Sequence, residues 1–433
     1  RAPAAGTGLS AARTLDSDNV FFSSAIGLTL GCVRVVIGRE GLLNPVDEGV
    51  PRTMRAMQLL ASGPVSEMPL RLVELPVPAP GEGEVVLRVL ACGVCRTDLH
   101  IVEGDLPLHR CPIVPGHQVV AEVAGFGRGA DEILPGGDVS SVPLKLGERV
   151  GVPWLHRTDG TCRYCRRGDE NLCTQAAFTG WDVDGGFAEY MVAPVAFVYR
   201  LPDAMGPLDA APLLCAGVIG YRCLRLVGVV GQADLPGAHA STFHDPGSFV
   251  DGPPRGVASA GAPRLAIYGF GSAASLCTQV AHWRGWDVYG IARDVAHRAM
   301  ARELGAVWAG ESDEDPGVVY DAAIVFAPVG DLALAALRRL DKGGILALGG
   351  IYSTPIPAIE YPWIYHERVL RSVANSTRRD ARELLRDAAL IPIRSRVQEY
   401  DLVEANQALL DLKEDRVRGS AVLRVSAMSG SVS

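Results

Sequence analysis

Short apolar segments separated by glycine and proline dominate the first part of the chain. The clearest is the run VVLRVL within Glu84–Leu90, which is typical of a buried strand. Similar segments predict strands at Met57–Leu60, Val119–Val123 and Phe187–Val192. Turn residues recur between them up to about Arg200, so this part is predicted to be β-rich with long loops.

Beyond Ala216 the pattern changes to strands that alternate with helices. A strand at Leu265–Tyr268 is followed by a helix at Ser272–Arg284. Further strands are predicted at Val288–Ala292, Tyr320–Phe326 and Ile345–Leu348, with helices at His297–Leu304 and Leu332–Leu340. Such alternation indicates βαβ units and a doubly wound parallel sheet. The segments Ala381–Leu390, Leu402–Leu412 and Ser420–Val425 then return to an α+β pattern.

These patterns divide the chain into two domains with additions. The expected segments are a tail at 1–53, a β-rich domain at 54–215, an α/β domain at 216–353, a return to the first domain at 354–425 and a tail at 426–433. Residues 231–263 are rich in Gly, Pro, Ser and Ala without periodicity, which predicts a disordered surface insertion. Because the chain starts at Arg1 and its first methionine is Met54, residues 1–53 are interpreted as an appended or upstream-translated tail. A cryptic signal segment at Val20–Val33 is the alternative.

Composition and charge exclude several classes of function. The chain is 48% apolar and 21% charged, which suits a folded core rather than a disordered chain. The net charge of −8 and the lack of a basic run argue against nucleic-acid binding. No apolar run approaches the ~18 residues that a membrane-spanning helix needs. Of the ten cysteines, Cys95, Cys162, Cys165 and Cys173 have metal-type spacings rather than a disulfide framework, which predicts a cytoplasmic location.

Three scattered motifs are each a weak signal of a metal site. Cys92-Gly-Val-Cys95 is compatible with a redox pair, a metal site or a buried pair near a strand end. His117 follows a turn in the sequence PGHQ, and Cys215 lies in PLLCAG. A compact cluster, Asp159-x-x-Cys162-x-x-Cys165 followed by Cys173, is a stronger signal because such spacings present ligands to one tetrahedral ion.

A glycine-rich turn lies between the strand at Leu265–Tyr268 and the helix that follows it. Its pattern is Gly269-x-Gly271-x-x-Ala274. Glycines at these positions let the backbone approach a pyrophosphate, which rests on the helix N-terminus. The turn therefore predicts a dinucleotide site.

Together these motifs make the chain resemble the zinc-dependent medium-chain alcohol dehydrogenases, particularly their bacterial branch. The resemblance runs from about Met54 to Val425 and is carried by CGVCRTDLH, PGHQ, DGTCRYCRRGDENLC, DGGFAEY, PLLCAG and YGFGSAA, in that order. It implies an α/β protein with a GroES-like β-rich catalytic domain and a Rossmann cofactor domain. It also implies a small-molecule alcohol or aldehyde substrate, an NAD or NADP cofactor, two zinc ions per chain and a homo-dimer or homo-tetramer.

The resemblance also assigns roles to individual residues. It implies that Cys95, His117 and Cys215 hold a catalytic zinc with one open position. The structural zinc would be held by Asp159, Cys162, Cys165 and Cys173. The remaining implied roles are proton relay for Thr97 and His100, orientation of the ligand His by Asp98, a substrate-pocket wall for Trp154, and a cofactor-phosphate contact for Arg378.

Two residues depart from the family pattern. Gln118 stands where the family usually has Glu, which removes a negative charge behind the zinc and bears on ligand exchange. Asp159 stands where the family usually has the first structural Cys. A carboxylate is a legitimate zinc ligand, so we expect the lobe still to bind metal, with His156 as the alternative ligand.

The choice between NAD and NADP depends on the end of the second strand of the α/β domain. NAD-type domains carry an acidic residue about twenty positions after the glycines. Here that position falls at Ala292, and Arg293 follows it, which predicts room and a cation for a 2′-phosphate. Asp294 is close enough to reach the ribose instead if the strand ends later, and Arg293 could be a solvated loop cation.

The motifs leave two other functions as alternatives. One is a zinc-free quinone or enone reductase of the same superfamily, against which the set Cys95, Thr97, His100, His117 and Cys215 argues. The other is a non-catalytic nucleotide-binding scaffold with only a structural zinc. A self-association edge is expected near Ile345–Leu348.

Overall fold

The computed structural model describes residues 49–138, 141–231 and 261–426. The predicted insertion at 231–263 and the two predicted tails lie almost wholly outside these residues. The strands are β1 (Thr53–Leu59), β2 (Leu70–Pro76), β3 (Glu84–Val94), β4 (Gln118–Phe126), β5 (Arg149–Val152), β6 (Leu155–Arg157), β7 (Ala177–Phe178), β8 (Tyr190–Pro194), β9 (Tyr199–Arg200), β10 (Arg264–Tyr268), β11 (Asp287–Ile291), β12 (Ala306–Gly310), β13 (Tyr320–Val325), β14 (Leu340–Leu348), β15 (Val369–Ser372), β16 (Val397–Asp401) and β17 (Ser420–Arg424).

Nine α-helices are assigned within the described residues. They are α1 (Arg96–Glu103), α2 (Arg163–Arg166), α3 (Pro207–Ala210), α4 (Ala216–Leu226), α5 (Ser272–Trp283), α6 (Val295–Glu303), α7 (Gly330–Arg338), α8 (Arg378–Leu390) and α9 (Ala405–Lys413). Among the described residues, no helix has the length and apolar character needed to cross a membrane.

The first domain is built on a mostly antiparallel sheet. Its strand order is β16-β17-β3-β4-β5-β9, and β8 also pairs with β3. Strand β3 is longer than predicted because its small residues Ala91 and Cys92 continue the pairing with Val120 and Val119 of β4. This extension carries the backbone directly to Cys95. The apolar face of the sheet packs into a core with α1 and α9.

The second domain contains a six-stranded parallel sheet in the order β12-β11-β10-β13-β14-β15. This is the strand order of a doubly wound dinucleotide-binding fold. The inner strands β10, β11 and β13 are mostly apolar and buried because helices cover both faces of the sheet. Helices α4 and α5 pack on the core of one face, and α7 packs on the other.

Three sequence predictions about the second domain need correction. The segment 354–425 does not return at once to the first domain, because β15 pairs in parallel with β14 and extends the nucleotide-type sheet. The expected sheet edge at Ile345–Leu348 is therefore covered on both sides, and β15 is the edge strand. Strand β14 also starts before the predicted Ile345, at Leu340. Its pairing with β13 shifts register between Leu340 and Ile345, and Gly343 (φ 74°) adopts the positive φ within this irregular stretch.

Candidate active site

Cys95 joins a strand to the first helix of the β-rich domain. It follows β3 and is the N-cap of α1, where its Sγ accepts the Thr97 N–H at 3.3 Å. Asp98 completes a reciprocal cap, because its Oδ2 accepts the Cys95 N–H at 2.9 Å. The local sequence CRTD thus fixes the position of the sulfur.

His117 is held by the same carboxylate. Its Nδ1 lies 3.0 Å from Asp98 Oδ1, which also accepts the Gly116 N–H at 3.2 Å. Both His117 and Asp98 are fully buried. Such a carboxylate fixes the ring orientation and leaves Nε2 as the ligand atom.

Cys215 brings the third ligand from a distant part of the chain, at the start of α4. Cys95 Sγ lies 4.0 Å from Cys215 Sγ and 3.2 Å from His117 Nε2, and the three ligand atoms all lie within 4.8 Å of one another. Two sulfurs and one imidazole nitrogen at these separations suit zinc, with a fourth position left for substrate. The residues therefore fit the metal that the resemblance implies.

The electrostatics of the cluster favour a charged sulfur. The hydrogen bond from Cys215 lowers the pKa of Cys95 well below its usual value, and the neighbouring His117 adds to this effect. The same hydrogen bond, together with burial, raises the pKa of Cys215. Burial acts to lower the pKa of His117, but the Asp98 carboxylate and Cys95 outweigh it and raise that pKa. A thiolate is the form of cysteine that binds metals.

An aromatic stack lies beside the ligand His117. The Trp154 ring meets the His117 ring edge-on at 4.8 Å between centroids, and it stacks on Phe178 at 5.1 Å and Trp181 at 5.8 Å. His109 stacks on Trp181 at 3.9 Å. Sequence reasoning found Trp154 and missed Phe178 and Trp181. Their spacing in FTGW is a possible signal, but only the pairing of β6 with β7 brings them to Trp154.

The two residues predicted to relay protons lie on α1. Thr97 is at its first turn and half-buried, and His100 is one turn after Arg96 with 22% of its side chain exposed. Gln118 is buried at the start of β4, opposite Gly93. A Cβ at position 93 would come within 2.7 Å of Gln118 Oε1, so glycine there leaves room for the amide.

The second predicted cluster also comes together. One ligand atom from each of Asp159, Cys162, Cys165 and Cys173 lies within 4.8 Å of all the others. Asp159 Oδ1 accepts the backbone N–H groups of Cys162 and Thr161 at 2.8 Å, and these bonds hold the pKa of Asp159 at about 2. His156 is buried on β6 outside this cluster, and its Nδ1 has no hydrogen-bond partner within the described residues. The donor set fits a closed tetrahedral zinc site.

The glycine turn has the geometry of a phosphate site. Gly269 has φ 86°, and a Cβ there would lie 2.8 Å from the Ala327 backbone nitrogen, so only glycine fits. Gly271 is the N-cap of α5 without a side-chain cap, and the space beside its Cα is open. Ala274 is buried against the sheet. Uncapped amides at a helix N-terminus bind anionic groups well.

At the end of β11, Ala292 is buried and Arg293 is exposed. Asp294 is the N-cap of α6, where its Oδ1 accepts the Ala296 N–H at 2.7 Å, and its Oδ2 lies 3.5 Å from Arg418. Arg378 contacts Glu170 at 3.1 Å and lies over the Phe197 ring at 4.9 Å. Its predicted contact with cofactor phosphate stays a prediction. Sequence reasoning missed Ser420, whose Oγ lies 2.6 Å from Ser272 Oγ at the start of α5.

The fold and the two ligand clusters define a class of protein, one with an α/β domain of the dinucleotide-binding type and a β-rich domain that carries two sets of candidate metal ligands. The sequence profile of the alcohol dehydrogenase GroES-like domain matches residues 81–203. A probable alcohol dehydrogenase AdhA of Mycobacterium tuberculosis is 43% identical over 381 residues, covering 88% of this chain and 100% of the relative. An alcohol dehydrogenase of Geobacillus stearothermophilus is 30% identical, covering 82% of this chain and 96% of the relative.

Solved structures agree with this fold. A cinnamyl alcohol dehydrogenase of Sorghum bicolor superposes with a TM-score of 0.70 at 23% identity, covering 88% of this chain and 100% of that one. The chain belongs to the zinc-type medium-chain alcohol dehydrogenase family. The predicted family and fold class are confirmed, and the family is one of alcohol oxidoreductases.

Proposed function

We propose that the protein is a zinc-dependent dehydrogenase that transfers hydride reversibly between a primary alcohol, or its aldehyde, and NAD(P). The observation that carries this proposal is the grouping of Cys95, His117 and Cys215 around one point, with Asp98 holding the imidazole. When bound, zinc would supply Lewis acidity that lowers the pKa of the substrate hydroxyl, and NAD(P) would supply the hydride acceptor.

The chain's own residues would bind, orient and deprotonate the substrate. The aromatic stack of Trp154, Phe178 and Trp181 forms an apolar side beside His117, which favours the carbon side of an alcohol and limits water. Thr97 Oγ1 would take the hydroxyl proton, because Thr97 follows the ligand Cys95 by two residues. His100, with 22% of its side chain exposed, would release that proton to water.

A second zinc in the lobe formed by residues 159–173 would stabilise the fold rather than react. Four protein ligands leave no open position, and this is the usual difference between structural and catalytic zinc sites. Asp159 supports this role because its second carboxylate oxygen remains for the metal while Oδ1 accepts the two backbone amides.

We also propose that NADP(H) is preferred over NAD(H). Arg293 is exposed beside the buried Ala292, so it can meet a 2′-phosphate. The carboxylate that would favour NAD, Asp294, caps α6 with one oxygen and faces Arg418 with the other. Arg418 thereby offsets a negative charge that would repel the phosphate.

A cytoplasmic location and a homo-oligomer complete the proposal. The cysteines within the described residues are free, and seven cysteine, histidine and aspartate side chains form the two metal clusters. Near the edge strand β15, Tyr361 and Tyr365 are 71% and 62% exposed. Large exposed rings beside an open sheet edge suit contact with a second copy.

Metal analysis combined with kinetics tests the function. Wild-type protein is expected to contain about two zincs per chain, and Cys215→Ser about one, with alcohol oxidation lost and folding retained. NAD(P)H absorbance would be followed with a panel of primary alcohols and aldehydes, with and without a chelator. Activity in zinc-free protein would favour the reductase. A single zinc with no turnover of any alcohol would favour the scaffold.

A further inference from the structure

The lobe at 159–173 is hydrogen-bonded to the segment that leads into α8. Glu170 Oε1 accepts the backbone N–H of Arg378 at 2.9 Å and its Nε–H at 3.1 Å. Asn171 Nδ2 donates to the Ala374 carbonyl at 2.6 Å. Glu170 and Asn171 are only 6% and 8% exposed, so these bonds lie in the protein interior. Both residues stand just before the candidate ligand Cys173, so the lobe meets α8 beside one of its own ligands.

The backbone of the lobe links the position of Glu170 to the candidate metal ligands. A single 3₁₀ turn starts at Glu170 and ends at Cys173, whose N–H donates to the Glu170 carbonyl at 3.0 Å. On the other side, the Asp169 N–H donates to the carbonyl of Tyr164 at 3.0 Å, within the helix α2 that carries Cys165. A turn this tight has little freedom of its own. A shift of either sulfur ligand therefore moves Glu170.

Arg378 is the residue that Glu170 orients. Helix α8 supplies its own cap, because Thr377 Oγ1 accepts the Asp380 N–H at 3.2 Å and Asp380 Oδ2 accepts the Thr377 N–H at 2.8 Å. The bond from Arg378 Nε to Glu170 thus adds something that the cap does not, since it holds the side chain. The guanidinium also lies over the Phe197 ring at 4.9 Å. Within the described part of the chain neither Nη group of Arg378 has a hydrogen-bond partner, so both are left to donate to an anion.

We propose that Glu170 is a positioning residue for cofactor binding, which holds the Arg378 guanidinium so that its Nη groups meet the cofactor phosphates. This inference rests on the proposed function and on the predicted contact of Arg378 with those phosphates. A guanidinium that is oriented in advance loses less side-chain freedom when it binds a phosphate. Because the lobe at 159–173 fixes Glu170, the affinity for cofactor depends on the order of that lobe. The lobe that would hold the structural zinc thus also serves the cofactor site.

This dependence acts in both directions. If zinc in the lobe favours cofactor binding, bound cofactor favours zinc in the lobe by the same factor, because the two equilibria belong to one thermodynamic cycle. A lobe that only stabilised the fold would show no such coupling. The consequence can be measured without turnover.

Cofactor titration of two Glu170 variants tests the positioning role. The Kd of NADPH and of NADH would be measured by the fluorescence of the reduced nicotinamide, with zinc-loaded enzyme and no substrate. Glu170→Ala is expected to raise the Kd about tenfold, the size of one charge-assisted contact, while kcat at saturating cofactor changes little. Glu170→Gln keeps the acceptor oxygen and should stay close to wild type. If Glu170 served only to neutralise Arg378, both variants would bind cofactor more tightly than wild type.

The matched control is Glu103→Ala. Glu103 Oε1 accepts the Val65 N–H at 3.1 Å and pairs with Lys413 Nζ at 2.6 Å, so it has the same kinds of partner as Glu170 but lies on α1. The Kd of this variant should equal that of wild type. In an Arg378→Ala background, Glu170→Ala should cause no further loss, because the carboxylate acts through the guanidinium.

Zinc titration of the lobe tests the coupling. In Cys215→Ser protein, which is expected to keep only the lobe's zinc, competition with a chelator would be measured with and without saturating NADPH. Bound NADPH should raise the zinc affinity of the lobe at least about fivefold, the lower end of typical coupling between two sites. Adding Glu170→Ala to this protein should abolish the increase.

The outcomes separate this inference from the proposed function. Wild-type protein that binds neither NADPH nor NADH would defeat the proposed function, and this inference with it. Where wild type binds cofactor and oxidises alcohols, a Kd in Glu170→Ala equal to that of Glu103→Ala, or tighter binding in both Glu170 variants, would overturn this inference alone. An additive loss in the Arg378→Ala background, or a zinc affinity that does not respond to NADPH, would overturn it as well.

Discussion

A single carboxylate organises the catalytic cluster at the scale of the residue. Asp98 receives three N–H groups, from the backbone of Cys95 and Gly116 and from the ring of His117. Burial raises the pKa of Asp98, and His117 and the Cys95 N–H offset part of that effect. One side chain thus links the strand β3, the helix α1 and the turn that carries the ligand His117.

Asp98→Asn should weaken the metal site without unfolding the protein. Both carboxylate oxygens accept from N–H donors, so either orientation of the amide sets an NH₂ group against an N–H. We expect a ~10- to 100-fold loss in zinc affinity or kcat, the usual cost of losing such an orienting partner. Zinc titration against a competing chelator measures the affinity, and zinc retained in the 159–173 lobe is the internal control. Wild-type affinity in this variant would contradict the role given to Asp98.

His156 is expected to make the free energy of unfolding depend on pH in the acidic range. Burial lowers its pKa from 6.5 to about 4, and Arg157 adds to this shift. The folded state therefore binds fewer protons than the unfolded state between these values, so stability should fall as pH drops from about 6.5 towards 4, by at most about 3 kcal/mol.

His156→Leu should remove this pH-dependent part of the free energy of unfolding. It should also cost little at neutral pH, because it eliminates a buried nitrogen that lacks a partner. Denaturant unfolding at pH 5 and pH 7, compared between variant and wild type, measures the difference. His366→Leu removes an exposed imidazole and should leave the slope unchanged. If the free energy of unfolding of His156→Leu depends on pH as steeply as that of wild type, a group other than His156 causes the dependence.

At the scale of the element, the 159–173 lobe is a loop with little regular structure of its own. It contains only the one-turn helix α2 and a short 3₁₀ turn at Glu170–Leu172. Glu170 is buried and ties the lobe to Arg378 at the start of α8. If the proposed zinc is bound, we expect most of the lobe's order to come from its four ligands, as is usual for small zinc-binding loops.

Asp159→Cys should tighten this lobe. Zinc prefers sulfur to oxygen in closed structural sites, so the variant should lose the lobe's ion to a chelator more slowly and have a higher Tm. The substitution also removes the carboxylate oxygen that accepts the Cys162 and Thr161 N–H groups, which would reduce the gain in Tm. Asp159→Ala is the matched variant and should release zinc fastest. Equal release rates in all three proteins would show that Asp159 is not a ligand.

Most elements could be predicted from the sequence because their signals are local. The helix at Ser272–Trp283 and the strand at Asp287–Ile291 were placed within about one residue at most ends by apolar periodicity and the glycine turn. Strand β15 was missed because the exposed pattern of Val369–Ser372 carries no strand signal and depends on its pairing with β14. The aromatic stack depends on the pairing of β6 with β7 and on side-chain geometry, which spacing alone does not encode.

At the scale of the whole molecule, the C-terminal segment of the catalytic domain makes several polar contacts with the α/β domain. Gln279 of α5 exchanges hydrogen bonds with the Arg394 backbone, at 3.0 and 2.8 Å. Ser420 meets Ser272 at the N-terminus of α5, and Arg418 reaches Asp294 at the start of α6. The catalytic domain thus contacts the helix that follows the glycine turn and also the loop at Arg293 and Asp294, which would meet the adenosine ribose. We therefore expect cofactor choice to depend on residues of both domains.

Arg293→Ala and Arg418→Ala should both shift cofactor preference toward NAD(H), for different reasons. Arg293 would bind the 2′-phosphate directly, so its loss should lower kcat/KM for NADP(H) by about tenfold, as expected for one solvent-exposed charge-assisted contact, and leave NAD(H) unaffected. Arg418 offsets the charge of Asp294, so its loss should lower NADP(H) use less and improve NAD(H) use slightly. Steady-state kinetics with both cofactors measures the ratios, and Arg416→Ala, which removes a cation paired with Asp411, is the control. A wild-type preference for NAD(H), or a ratio that stays constant in Arg293→Ala, would show that another part of the protein selects the cofactor.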